Sequence, residues 1–336
     1  NQLLDRRVVP QSARLQLVGH RGGASETELW GLRADLEDAF ADWAPTLELV
    51  LDPAEVRADV VVMLAGATVS LDPDAPVDRA ALGRQNAAVF TEYAAALARW
   101  EVPPVVVVQS NPVELGVHVF SSALPARKVL GAAGWSDTLR FRHELAVELG
   151  VSRRAVAAFV LGQHGDHMVP VWSMVAAHGV ARADVEALVA RTRRGRSLAD
   201  LPAEIVAERT EVLDLVRAGR VQDAYERVRA LPVDLRVAVK PFFTNFTSGR
   251  TTEAVTAHAA ADLVAAVVSG HWLAVPAQVQ MEGRWHGVTS PLAAPVVLSP
   301  NGWVEAVEVQ LADDEVDALR VADAAVAAAV EDALGG

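Results

Sequence analysis

Apolar runs alternate with amphipathic stretches over the first half of the chain. Three runs read as strands, and the last two are of the kind buried on both faces: 13–19, 58–66 and 103–110. Helices are predicted over 26–40 and 79–100, the first with Ser25 as a plausible N-cap. This alternation predicts an α/β fold with helices on both faces of a parallel sheet.

The second half of the chain mixes helices and strands. The run 155–162 predicts a strand that leads into a turn, and an Arg- and Glu-rich helical region follows to about Leu231. The segment 249–255 is expected to start an Ala-rich helix. The change of character predicts two domains, 1–134 and 135–336.

Antiparallel strands are predicted near the end of the chain. They cover 279–287, 295–302 and 304–311, with turns at Glu282 and Gly283 and at Asn301 and Gly302. A final amphipathic helix is predicted to begin near Asp313. The second domain is therefore expected to be a mixed α+β domain.

Composition excludes several classes of protein. The chain has 336 residues, 51% of them hydrophobic and 22% charged, which is enough for a large core. No apolar run approaches the ~20 residues of a membrane span, and no signal-like segment opens the chain, so a soluble, cytoplasmic protein is expected. Zero cysteines exclude disulfides and thiol catalysis, and a net charge of −13 argues against nucleic acid as a partner.

A histidine stands in a glycine-bracketed turn after the predicted strand 155–162. His164 titrates near neutrality and could exchange a proton with a bound substrate, although an isolated histidine more often only ends a strand. Asp137 and Arg140 share one face if their segment is helical. An aspartate can orient the imidazole and an arginine can clamp a carboxylate, whereas the simpler interpretation is a surface ion pair.

Two motifs carry a resemblance to a known family. Asp137-Thr-Leu-Arg140 and Gln163-His-Gly-Asp166, with their spacing, resemble the lactate/malate dehydrogenases. The N-terminal segment is similar to that of the cytosolic and chloroplast-type malate dehydrogenases. The resemblance implies a Rossmann-type domain plus a substrate domain, hydride transfer between NAD or NADP and a small 2-hydroxy or 2-keto acid, and a homodimer.

The resemblance also implies roles for individual residues. His164 would transfer the hydroxyl proton, and Asp137 would orient its ring. Four residues are expected to bind the substrate: Arg79, which would polarise the carbonyl, Arg140, which would clamp the C1 carboxylate, Asn111 and Thr251. Asn111 in a Ser-Asn-Pro segment is also a good turn residue, and Thr251 could simply be a helix N-cap.

The expected cofactor site lies beyond the carboxyl ends of the predicted strands, where open parallel sheets bind their ligands. Its predicted residues are Gly19, His20, Arg21, Gly66, Asn86 and Asn111. The segment 19–23 lacks the carboxylate that would bind the ribose hydroxyls of NAD, so NADP is slightly favoured over NAD.

The usual first strand and its G-x-G-x-x-G turn are missing from the printed sequence, which opens in what reads as the middle of a helix at 1–4. We expect this strand and turn to belong to an N-terminal segment. The alternative is a protein that does not bind the cofactor in the normal way.

The segment 67–79 matches in position the family's mobile loop over the substrate. Malate enzymes carry an Arg early in this loop, but this chain has Thr68, Val69 or Ser70 there, followed by Asp72 and Asp74. These carboxylates would repel a dicarboxylate, which puts malate in doubt unless Arg250 reaches the site. The stretch between His164 and Thr251 is longer than in the family, so an insertion of one or two helices is expected.

Two other classes of protein remain open at the level of sequence. A non-catalytic dehydrogenase-fold paralogue or assembly subunit is favoured by the missing glycine turn and opposed by the retained chemical residues. A metal-dependent hydrolase built on His164 and His167 is the third possibility, although the turn offers few further ligands.

Overall fold

A computed structural model describes residues 1–68, 79–248, 252–271 and 273–335 of the chain. The helices are α1 (Gln2–Asp5), α2 (Ala24–Ala39), α3 (Arg79–Leu97), α4 (Val113–Ala123), α5 (Ala133–Leu149), α6 (Arg182–Arg193), α7 (Leu201–Arg217), α8 (Val221–Ala230), α9 (Val233–Ser248), α10 (Glu253–Ser269) and α11 (Asp313–Leu334). The strands are β1 (Arg14–Val18), β2 (Thr46–Val50), β3 (Val60–Met63), β4 (Val105–Val108), β5 (Val129–Gly131), β6 (Val156–Ala157), β7 (Val160–Gly162), β8 (Met168–Pro170), β9 (Ala176–Ala177), β10 (Leu273–Val279), β11 (Leu292–Ser299) and β12 (Gly302–Ala306).

The main sheet has the strand order β3-β4-β5-β10-β11-β7-β8, with β12 paired to β11. Strands β3, β4 and β5 are parallel, and the remaining pairs are antiparallel. Strand β4 consists of four valines that are at most 1% exposed, because helices cover a parallel sheet on both faces. The predicted α/β fold with a parallel sheet and a mixed second part is confirmed.

Strands β1 and β2 form a separate parallel pair. In the described part of the chain β1 pairs only with β2, and β3 pairs only with β4. The two strands β1 and β3 nevertheless line one cavity, and the side chain of Gln16 in β1 accepts a hydrogen bond at 2.8 Å from the backbone N–H of Arg57, just before β3.

The main sheet continues across residue 134, where the predicted domain boundary falls. Gly131 of β5 pairs with Gln278 of β10, and the main hydrophobic core includes buried residues from both sides of the boundary. The division into 1–134 and 135–336 stays a prediction.

Most of the predicted elements are present, with shifted ends. The three strands of the first half correspond to β1, β3 and β4, and the predicted helices correspond to α2 and α3. The Arg- and Glu-rich region forms α6, α7 and α8, and the final helix is α11. The turn at Asn301 and Gly302 joins β11 to β12 as predicted.

Two predictions of local structure are wrong. The segment 279–287 is not a strand: β10 ends at Val279, and Gly283 and Gly287 then adopt positive φ angles that interrupt extended backbone. Ser25 is not an N-cap, because α2 begins earlier and Gly23, in an extended conformation, takes that position. Ser25 instead lies in the first turn, where its hydroxyl accepts a hydrogen bond from the backbone of His20 at 3.5 Å.

No helix in the described ranges is long and apolar enough to cross a membrane. No group of three or more acidic or histidine side chains is placed so that it could hold a metal ion, and this holds for the same four ranges of the chain.

Candidate active site

Helix α5 carries Asp137 and Arg140 on one face. The helix lies close to the sheet, since a Cβ atom on Gly134 would lie 2.7 Å from that of Ala293 in β11. Nη1 of Arg140 donates to Oδ1 of Asp137 at 2.7 Å, and both side chains are nearly buried. Asp137 and Arg140, one helical turn apart as predicted, therefore form a buried ion pair rather than a surface one.

His164 lies in the turn between β7 and β8. Gly162 and Gly165 on either side have φ angles of 80° and 140°, which a side chain would strain. The turn directs Nδ1 of His164 to within 2.7 Å of Oδ2 of Asp137. Asp137 thus contacts Arg140 with one carboxylate oxygen and His164 with the other.

The charged groups in this cluster shift one another's pKa. Burial alone would lower the pKa of His164, but the charge and hydrogen bond of Asp137, with a smaller effect of Glu114, outweigh burial and raise it. Burial would raise the pKa of Asp137, yet His164 and Arg140 outweigh that effect and lower it. The preferred state is an ionised Asp137 beside an imidazole that holds its proton firmly.

Asn111 and Ala67, the residue after Gly66, are held together by the buried side chain of Asn86. Its Nδ2 donates to the carbonyl oxygens of Asn111 at 2.6 Å and Ala67 at 2.9 Å, and its Oδ1 accepts from the N–H of Ala67 at 2.7 Å. The peptide bond from Asn111 to Pro112 is cis. Asn86 therefore ties the end of β3 to the segment after β4, and its own amide is occupied by the main chain.

The three predicted cofactor residues after β1 lie apart from this cluster. The N–H of Gly19 donates to Val50 at 2.9 Å, while His20 lies edge-on to Tyr93 and Arg21 is exposed. Gly19, His20 and Arg21 do not line the cavity that His164 faces, whereas Gly66 and Asn111 do.

Thr251 and the side chain of Arg79 lie outside the described residues, as do Val69, Ser70, Asp72, Asp74 and Arg250. Thr68 lines the cavity. Thr252, the neighbour of Thr251, accepts a hydrogen bond from Nη2 of Arg140 at 2.8 Å.

Two polar residues that the sequence analysis did not select also belong to the site. Glu114 accepts a hydrogen bond from the backbone N–H of His164 at 2.7 Å, and Gln278 is fully buried beside it. An acidic residue in the first turn of α4, just after the Asn111 segment, was a signal for Glu114. Gln278 had no such signal, because its contacts depend on how β10 pairs with β5.

One cavity of about 1590 Å³ connects these groups. It is lined by His164, Asp137, Arg140, Asn111 and Thr252 at one end and extends between β1 and β3. Small-ligand pockets commonly enclose roughly 300–1,000 Å³, so this cavity has room for more than a small acid. Nε2 of His164, the ring nitrogen not engaged by Asp137, is the one available for proton exchange with a ligand there.

The histidine, aspartate and arginine at the edge of an α/β sheet form a site of the class suited to acid–base chemistry on an anionic substrate. Comparisons with known proteins narrow this class. A family model described as lactate/malate dehydrogenase, alpha/beta C-terminal domain, matches residues 136–214, which include Asp137, Arg140 and His164.

Relatives and solved structures agree with that match. A malate dehydrogenase of Chlorobium phaeobacteroides (strain BS1) is 30% identical over 277 residues, which cover 80% of this chain and 74% of the relative. One of Symbiobacterium thermophilum is 35% identical over 184 residues, 51% of this chain and 57% of the relative. The malate dehydrogenase structure from Aeropyrum pernix has a TM-score of 0.75 at 21% identity, covering 98% of this chain and 92% of that one.

A lactate dehydrogenase structure from Cryptosporidium parvum, complexed with lactic acid and nicotinamide adenine dinucleotide, has a TM-score of 0.73 at 21% identity, covering 96% of this chain and 91% of that one. These two structures establish the shared fold. The chain belongs to the lactate/malate dehydrogenase family of oxidoreductases.

Proposed function

We propose that this protein catalyses reversible hydride transfer between a nicotinamide dinucleotide and C2 of a small 2-hydroxy acid. The observation that carries the proposal is the position of Asp137, whose two carboxylate oxygens contact His164 and Arg140 at 2.7 Å each. A histidine suited to proton transfer and an arginine suited to binding a carboxylate therefore both line one cavity, which supports the proposal.

Each side chain has a defined task in the proposed reaction. Nε2 of His164 takes the substrate hydroxyl proton during oxidation and returns it to the carbonyl oxygen during reduction. Asp137 keeps the proton of Nδ1 in place and stabilises the imidazolium. Arg140 pairs with the C1 carboxylate of the substrate, while Thr252 and Asp137 fix the orientation of its guanidinium.

The residues present are suited to the nicotinamide half of the cofactor. A Cβ on Gly66 would lie 2.9 Å from Oδ1 of Asn86, so glycine alone fits there and leaves the backbone open to the cavity. Gly66 and Asn111 would hold this half close to His164, where a bound nicotinamide would supply the hydride chemistry. Asn86 supports this arrangement through its hydrogen bonds to the main chain of Ala67, next to Gly66, and of Asn111.

The proposal extends to the cofactor, the assembly, the location and the substrate. NADP is proposed over NAD because the segment after β1 offers His20 and Arg21 in place of a carboxylate. A homodimer and a cytoplasmic location are proposed from the resemblance to the family. A 2-keto acid without a second carboxylate is proposed over oxaloacetate, since Thr68 and its neighbours replace an arginine.

The test is turnover by the protein as its gene encodes it. NADPH and NADH oxidation is followed with oxaloacetate, pyruvate and bulkier 2-keto acids in parallel. We expect turnover with at least one acid, a preference for NADPH, and a loss of about 1,000-fold in kcat for His164→Asn. The matched control is His178→Asn, which changes an exposed histidine outside the cavity and is expected to keep full activity.

A folded protein that binds NADPH or NADH but turns over no 2-keto acid would contradict the proposal. Cofactor fluorescence measures this binding separately from chemistry. Equal loss of activity in the two histidine variants would also contradict it, because the effect would then not be specific to the cavity. Either result would favour a non-catalytic member of the family.

A further inference from the structure

Glu114 is a buried carboxyl group that the proposed chemistry does not use. It stands in the first turn of α4 and is only 5% exposed. In the described part of the chain it forms no salt bridge with a lysine or arginine. Burying a carboxyl group without a cationic partner is costly, so its position calls for a specific reason.

The contacts of Glu114 lead directly to the proposed proton donor. Its Oε1 accepts the backbone N–H of His164 at 2.7 Å and the side-chain amide of Gln278 at 3.4 Å. Asp137 contacts the ring of the same histidine from α5. Two carboxyl groups on two different helices therefore hold His164, one through its ring and one through its main chain.

Gln278 extends this arrangement to α5. It is fully buried, and its Oε1 accepts the N–H of Gly134 at 3.0 Å, one turn before Asp137. Gly131 leaves room for it, since a Cβ there would lie 2.9 Å from both Cβ and Oε1 of Gln278. Gln278 thus links the start of α4 to the start of the helix that carries Asp137.

We propose that Glu114 is a positioning residue that fixes the main chain of His164 against α5 and contributes a second negative charge to its imidazole. The proposal rests on the proposed function and deepens it. The charge state of the proton donor would then depend on Asp137 and Glu114 together.

The electrostatics of the pair are consistent with this role. Burial raises the pKa of Glu114, and the charge and N–H of His164 reduce that rise. The carboxyl group therefore ionises more easily while His164 holds its proton.

The other charged groups around the turn are few in the described ranges. Arg140 of α5 opposes a proton on His164, and Asp166 of the same turn pairs with Arg209 of α7. Glu315 of α11 accepts a hydrogen bond from the hydroxyl group of Ser173, which lies beyond β8. These groups stay unchanged in the experiment below, so a shift on changing Glu114 reports its own contribution.

The test compares Glu114→Gln with the natural protein by NMR titration of the His164 ring, whose resonance is assigned with a His164→Gln variant. The glutamine keeps an oxygen acceptor for the backbone N–H but removes the charge. We expect the pKa of His164 to fall and kcat/KM for keto-acid reduction to fall about tenfold near neutrality. The control Glu305→Gln changes an exposed carboxyl group on β12 and is expected to change neither.

The outcomes separate this inference from the proposed function. An unchanged His164 titration in a folded Glu114→Gln protein overturns the inference, whether or not the protein turns over a keto acid. Absence of turnover in the natural protein contradicts the proposed function alone, because the NMR titration needs no substrate.

A second variant keeps the inference testable if the glutamine protein does not fold. Glu114→Asp retains the charge but withdraws the acceptor from the N–H of His164. We expect its His164 titration to resemble that of the natural protein while kcat falls about tenfold with little change in KM. A kcat equal to that of the natural protein would overturn the positioning role.

Discussion

Oδ2 of Asp137 lies 2.7 Å from Nδ1 of His164, and the carboxylate is held in that orientation by Arg140 on its other oxygen. An ionised, nearly buried acceptor at this distance fixes the ring's tautomer and favours its protonated form. The reactive nitrogen is thereby defined as Nε2. The site is preorganised because its three side chains restrain one another.

The Asp137→Asn variant tests this relationship. An amide keeps the shape of the side chain but not its charge, and it can present a donor to Nδ1, which disfavours the required tautomer. We expect kcat to fall by about 100- to 10,000-fold while the protein stays folded. Steady-state kinetics and circular dichroism measure the two properties, and a loss of less than about threefold would refute the assigned role.

The pH dependence of the two reaction directions follows from the raised pKa of His164. Reduction of a keto acid needs the protonated ring, so its kcat/KM is expected to be constant at low pH and to fall as pH rises through that pKa. Oxidation of the hydroxy acid needs the neutral ring and is expected to rise over the same range. Both profiles should share one midpoint above the ordinary imidazole value of 6.5. A midpoint below this value in both directions would contradict the electrostatic argument.

Local pattern predicted the strands and the helix that carry the proposed chemistry. Continuous apolar runs identified β3 and β4, and the spacing of Asp137 and Arg140 placed both on one face of α5. Strand β5 was not predicted, because three residues are too few to show a period. Strand β2 was also missed, although it pairs with β1 along its whole length.

The supporting contacts could not be predicted because they join distant parts of the chain. Glu114 reaches a backbone N–H 50 positions away, and Gln278 reaches one 144 positions away. The Gln278 contact depends on the register of β10 against β5, and the Glu114 contact depends on how α4 lies against the turn after β7. No local pattern specifies either arrangement. Sequence therefore indicates the reacting groups more readily than the residues that hold them.

The Arg140→Lys variant tests carboxylate recognition. A lysine retains the positive charge but loses the planar pair of donors that now contact Asp137 and Thr252 and would bind the substrate. We expect KM for the keto acid to rise about 10- to 100-fold, with a smaller change in kcat. Thr252→Val is the matched comparison, since it removes only the hydroxyl acceptor and should raise KM less. Unchanged kinetics for the lysine variant would contradict the assignment of Arg140.

Arg209 connects the helical region after the active-site turn to that turn. Nη1 of Arg209 lies 2.8 Å from Asp166, two residues after His164, and its guanidinium lies over the ring of Phe242. Both charged side chains are about one-fifth exposed, so their pairing is stronger than that of a surface pair.

We expect Arg209→Gln to lower kcat/KM about three- to tenfold by loosening this turn. Arg220→Gln is the control, because it removes an exposed pair with Asp223 and should leave kinetics unchanged. Equal kinetics in the two variants would show that α7 does not support the turn.

The backbone of Arg127 approaches Gly302 so closely that position 302 has no space for a side chain. It has a φ angle of 104°, and a Cβ there would lie 2.0 Å from the carbonyl oxygen of Arg127, which belongs to rigid backbone just before β5. Gly219 also has a positive φ angle, 72°, but nothing lies within 4 Å of its Cβ position. A side chain would therefore strain the backbone conformation at both positions. Only at Gly302 would it also clash with a neighbouring atom.

Gly302→Ala is expected to reduce the free energy of unfolding by about 3 kcal/mol or more, because β12 must move away from the segment before β5. Gly219→Ala is expected to cost only about 1 kcal/mol, the usual penalty for a left-handed alanine. Urea unfolding monitored by tryptophan fluorescence measures both, and Trp303 beside Gly302 reports on this contact through its hydrogen bond to Ala126 at 2.9 Å. Equal destabilisation by the two alanines would mean that the approach of Arg127 does not determine the residue at this position.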